Sequence, residues 1–91
     1  MASNFIISIH QNSENVHLRL IGDFDGISAH QLFHVLDEKC KRALKVFIHT
    51  SALRRIHPFG CNEFHKSLTS LKKTPGQIIF TGENMSRIAP Q

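Results

Sequence analysis

The sequence has no run of about eighteen apolar residues, so no helix-type membrane span is expected. Its opening stretch, MASNFIISIH, lacks a basic segment and holds too short an apolar one for a secretory leader, which points to a cytoplasmic protein. Cysteine is scarce. Cys40 and Cys61 show no CxxC spacing, and the plain reading is a pair of reduced, half-buried thiols. A glycine-rich phosphate cradle and an HExxH pair are both missing. So is any block of five like charges, and few aromatics lie among the basic residues, which makes nucleic acid an unlikely partner.

What is present fits one small globular domain: 91 residues, 41% apolar and 20% charged. The net charge is +4, which suits an acidic protein partner, an anionic surface or a polynucleotide. The basic residues are scattered over Lys39, Lys41 and Arg42, then Arg54 and Arg55, then Lys72 and Lys73. Each group reads first as a solvated helix end.

Phe5, Ile7 and Ile9 alternate with Ile6, Ser8 and His10, as in a strand. A polar loop of hairpin length follows over 11–15. Val16, Leu18 and Leu20 then alternate with His17, Arg19 and Ile21, the pattern of a strand covered on one side. Gly22 is expected to end it, and 23–28 to form a turn in which Asp25 or Ser28 caps a helix. Ala29, Leu32, Phe33, Leu36 and Cys40 make that helix's apolar stripe. Val46, Phe47 and Ile48 form a continuous apolar run, expected as a central strand buried on both faces. A loop bearing Arg54, Arg55 and His57 leads to Pro58, a residue suited to the first helical turn. Cys61, Phe64, Leu68 and Leu71 carry a second helix from about Phe59 to Lys73, closed by Thr74-Pro75-Gly76. A last strand covers 77–82, and 83–91 has room for one helical turn.

The order ββαβαβ makes the fold α/β: a four-stranded mixed sheet with an antiparallel first pair, two main helices and right-handed crossovers. In such sheets, sites gather where strand ends meet helix N-termini, which draws attention to residues 46–60.

With Gly22-Asp23-Phe24-Asp25 between strand and helix, this order resembles the STAS domain, a family that includes anti-sigma factor antagonists and the cytoplasmic tails of sulphate transporters. The four residues stand where that family has a G-E-L-D-like turn. Ile48-His49-Thr50-Ser51 falls on its L-D-L-S strand, and His57-Pro58-Phe59-Gly60 on its D-S-S-G loop. The likeness covers about residues 4–89. It implies a non-enzymatic regulatory module in a single domain, 1–91, with no cofactor. The implied partner is an anti-sigma factor or serine-kinase-like protein, or a transporter component, with a homodimer also open. In antagonist members the loop serine is phosphorylated. Here His57, Pro58 and Phe59 offer no hydroxyl and only Gly60 of the four survives, so the phospho-switch does not carry over. His49 replaces the strand aspartate. The partner surface expected is Asp23 and Asp25 with Arg54, Arg55, His57, Pro58, Phe59, Gly60 and Asn62.

Three other constellations compete. His30 and His34 sit at metal-ligand spacing with Asp37 on the same face, yet a solvated helix side is the simpler account. Cys61 lies four residues after His57 near a helix start, where a thiolate is favoured, but it also belongs to the apolar stripe. Arg54 and Arg55 would serve a nucleotide as well as a protein partner. Phe59 is either buried under Pro58, the commoner fate of a large apolar residue, or exposed as an anchor for a partner.

Overall fold

The computed structural model describes residues 4–12, 14–39, 45–68, 78–83 and 88. Its elements are β1 (Ile6–Gln11), β2 (Asn15–Phe24), α1 (Gly26–Lys39), β3 (Lys45–His49), β4 (Leu53–Ile56), α2 (Pro58–Leu68) and β5 (Ile78–Thr81). The main sheet runs β1-β2-β3-β5, with β1 antiparallel to β2 and the remaining pairs parallel. The α/β architecture and mixed sheet are those expected, with one strand more.

That extra strand is β4. It pairs with β2 in parallel beyond the last β2–β3 pair: Gly22 with Leu53, Asp23 with Arg55, Phe24 with Ile56. Gly22 therefore does not end β2. It has φ 99°, a region open chiefly to glycine, and a Cβ there would lie 2.1 Å from the Asn4 carbonyl oxygen. The glycine lets the strand bend past Asn4 and continue to Phe24. The register shift between Gly22 and Asp23 sets Arg54 and Arg55 together against Asp23. Leu53 and Ile56 stay inward while both arginines reach solvent.

Every second residue of β2 is buried: Val16, Leu18, Leu20 and Phe24 meet Val46 and Ile48 of β3 under the helices. Ala29, Leu32 and Leu36 cover them from α1, and Cys61 and Phe64 from α2. Phe24 packs edge-to-face on Phe64, with centroids 6.0 Å apart. Burying side chains such as these is worth about 1.5–3 kcal/mol each. Ile88, fully buried, joins the same core, and its carbonyl lies 2.6 Å from Nε2 of His65.

β3 is central, as expected, but buried on one face only. Phe47 and His49, pointing the other way, are half-buried, and no described helix lies over them. Cys40, Lys41, Arg42, Lys72, Lys73, the Thr74-Pro75-Gly76 stop and the expected end of the second helix lie outside the described residues. No described helix is long and apolar enough to cross a membrane.

Candidate functional site

Two helix starts come together at one end of the sheet. Asp25 precedes α1 and caps it: its Oδ1 accepts the Ser28 N–H at 2.9 Å and the Ser28 hydroxyl at 3.0 Å, and its carbonyl accepts the Ala29 N–H at 2.9 Å. The Ser28 N–H bond is the main reason the Asp25 carboxyl is held below its ordinary value. Burial opposes the shift, and the Ser28 hydroxyl and Ile27 N–H add to it. Ser28 is fully buried, and its hydroxyl also lies 2.7 Å from the Asp23 carbonyl, so its one proton is shared between the two acceptors. Of the two cap candidates in the sequence, Asp25 does the capping and Ser28 locks the turn.

His57 occupies the equivalent place before α2. Its N–H donates to the Phe24 carbonyl at 2.9 Å, extending the β2–β4 ladder, and its carbonyl accepts the Cys61 N–H at 3.2 Å. Pro58 follows as the first helical residue, where its missing N–H is harmless. Among the described residues no side chain caps this helix, the His57 ring included.

Gly60 joins the two starts. A Cβ there would stand 2.6 to 2.9 Å from the backbone carbon, oxygen and Cα of Asp25. Only glycine lets the first turn of α2 lie on the Asp23–Asp25 turn.

Phe59 takes the less common of the two fates open to it. It is 66% exposed, and its ring lies over Gly26, where a Cβ would come within 2.9 Å of Cε2. The turn at α2's start aims the side chain across the α1–α2 groove instead of into the core, which Phe24 and Phe64 already fill. Beside it lies an open cleft of about 420 Å³, lined by Asp25, Gly26, Ile27, Ala29, His30, Phe59, Glu63 and Ser67. Ile27 is 49% exposed, so the cleft has two apolar lips.

Of the expected site residues, the cleft takes Asp25 and Phe59. Gly60 lies beneath it, and His57, Pro58 and Asn62 are exposed on the same helix start. Arg54 and Arg55 stand on the adjacent β4 rather than in the cleft. Asp23 faces Arg55 across the strand pair. Its Oδ2 takes an Asn4 amide at 3.3 Å, while Oδ1 is buried without a hydrogen bond among the described residues. Sequence reasoning missed Ile27, His30 and Glu63. Ile27 did carry a signal: an apolar residue just inside the helix and off the stripe.

The competing constellations resolve simply. Cys61 is buried in the core cluster, whereas His57 is exposed. His30 and His34 are exposed, with His34 Nδ1 3.3 Å from Glu38, and no group of three metal-ligating side chains occurs among the described residues.

No protein-family model and no curated protein matches the sequence. A solved structure does. That of the anti-sigma factor antagonist SpoIIAA in its unphosphorylated form matches with a TM-score of 0.64, over 92% of this chain and 81% of that one. The fold is STAS-like. At 15% identity the likeness concerns the fold, and the loop residues of this chain are its own.

Proposed function

We propose that this chain is a non-enzymatic STAS-like regulatory domain that docks a protein partner through the β4–α2 surface. The observation that carries the reading is the exposed Phe59, seated on Gly26 opposite Ile27 at the mouth of a cleft. A large apolar side chain held in the open by a glycine contact is the sort of anchor that concentrates binding energy. Arg54 and Arg55, thrown to solvent by the bulge, give the neighbouring strand two cations for acidic groups on that partner. The fold likeness to an anti-sigma factor antagonist supports a partner of the anti-sigma factor or kinase kind, or a transporter component. The switch is not phosphorylation of the loop, because His57, Pro58 and Phe59 supply no hydroxyl.

The test is capture by the tagged chain from native extract. Phe59→Ala and the double charge reversal Arg54→Glu/Arg55→Glu are each expected to lower recovery of the wild-type partner about tenfold or more, the scale of a hot-spot loss. Undiminished recovery with both variants sinks the assignment. Phosphate found by mass spectrometry on 54–62 after incubation with ATP and the captured partner refutes the absence of a switch.

A further inference from the structure

The sheet face turned away from the helices holds an ordered set of side chains that the docking site does not use. Cross-strand register places His10, His17, Phe47 and Ile79 in one row over β1, β2, β3 and β5. The next row is Ser8, Arg19, His49 and Thr81, and Ile6 beside Ile21 begins a third. Nδ1 of His17 lies 2.9 Å from Nε2 of His49, and Nδ1 of His49 lies 2.6 Å from the Thr81 hydroxyl. One proton is shared in each contact, so the chain has two neutral arrangements and accommodates one added proton. A second added proton sets N–H against N–H.

Charge on this face is one-sided. Arg19 and Lys45 are exposed cations, and His10 adds a third titratable ring. Strand β5 contributes no ionisable group. Asp23 is the only carboxylate on the described strands, and it sits at the far end beside Asn4. Apolar surface is interleaved: Ile6 is 57% exposed, with Ile21, Phe47 and Ile79 half-buried. No described residue covers the face.

The rings stand against one another. His17 stacks on Phe47 at 4.8 Å with planes within 10°, and lies edge to edge and nearly coplanar with His49, whose centroid is 5.2 Å away. Phe47 thereby covers one face of His17, and the facing edges of the two imidazoles are joined by their shared proton. A nucleobase stacking on His17 would compete with Phe47 for that ring. A carboxylate is attracted to ring edges and N–H donors.

We infer that this open sheet face is a second docking surface, one that takes an acidic protein segment with interspersed apolar residues and holds it more tightly as the histidines protonate. In the absence of the segment, burial, His17 and Arg19 together hold the His49 imidazole below its ordinary value. A carboxylate over the pair supplies the missing counter-charge, so binding takes up a proton.

The experiment uses a ten-residue peptide of alternating glutamate and leucine, titrated into the full chain between pH 8 and 6. The expected result is affinity rising about tenfold over that range, within the roughly hundredfold limit that uptake of one proton sets across two pH units, with proton uptake visible by calorimetry in buffers of different ionisation enthalpy. His17→Gln/His49→Gln is expected to remove most of the pH dependence, leaving only what His10 supplies. Arg19→Glu/Lys45→Glu, at exposed positions that leave the core untouched, is expected to weaken binding about tenfold. Arg54→Glu/Arg55→Glu should leave it unchanged, which separates this surface from the β4–α2 site. The inference is overturned by affinity that ignores pH, by binding lost with Arg54 and Arg55 but kept without Arg19 and Lys45, or by a decathymidylate that binds more tightly through the same residues.

Discussion

Helices α1 and α2 begin side by side at one end of the sheet, and their first turns are built in opposite ways. The start of α1 is closed: Asp25 caps it, Ser28 is fully buried, and the turn is bonded back to Asp23. The start of α2 is open: His57, Pro58 and Phe59 are exposed, no described side chain caps it, and a 66% exposed ring spans the groove. The closed turn is the bed on which the open one lies, because the Asp25 backbone fills the space that any side chain at position 60 would need. The contrast separates the scaffold of a docking site from its surface. A residue that holds the bed should alter stability, and one that forms the surface should alter binding alone.

The largest effect expected is at the seam. Gly60→Val puts a branched side chain within 3 Å of the Asp25 backbone, which has no rotamer with which to yield. A loss of about 3 kcal/mol is expected, the upper end for overpacking. For a domain of this size that lowers Tm by on the order of 12–24 °C. Thermal unfolding followed by circular dichroism checks it. A variant melting within a few degrees of wild type would mean that the two starts separate freely and that the bed is not required.

That seam marks the boundary of what the residues alone disclose. The alternation of Val16, Leu18 and Leu20 against polar neighbours fixed both the existence and the buried face of β2, because a strand's period is local. The start of α2 was equally legible from Pro58, whose chemistry admits few positions. β4 was not. Its inward Leu53 and Ile56 are separated by two outward arginines, and a bulge breaks the alternation by which a strand is recognised. Gly22 looked like a terminator because glycine usually is one. It is in fact a passage, needed where Asn4 crosses. The residues leave Phe59 undecided for a related reason: average burial favours the core, and only the packing of Phe24 and Phe64 shows that the core is filled without it. The pairing of His17 with His49 depends on residues thirty-two apart in sequence, and nothing local announces it.

A smaller effect is expected from opening the closed start. Asp25→Ala removes the acceptor for Ser28 and should cost about 1 kcal/mol, as loss of an N-cap generally does. The pH dependence sharpens the comparison. The Asp25 carboxyl titrates lower in the folded chain than its ordinary value of 3.8, so its contribution is complete above the unfolded pKa and is lost as pH falls through the lower, folded one. Wild type and variant should therefore differ in urea midpoint at pH 7, begin to draw together only below about pH 4, and meet once pH has fallen through the lowered folded value. A gap that persists in acid would assign the effect to packing rather than to the charged cap.

The smallest effect runs in the other direction, by closing the open start. His57→Ser places a hydroxyl where it can accept the Gly60 N–H, three residues on, in the way Asp25 accepts that of Ser28. The backbone already has the cap arrangement, since the His57 carbonyl receives the Cys61 N–H. The expected gain is about 0.5–1 kcal/mol, read as a higher urea midpoint with an unchanged slope. The His57 ring makes no hydrogen bond among the described residues, so no described contact is lost with it. If the open start exists to meet a partner, the same variant should capture that partner less well while folding better, because the amide it satisfies and the ring it removes both belong to the surface. A midpoint that does not rise would show that the first amides of α2 are already satisfied, and the two helix starts would then differ in appearance but not in energy.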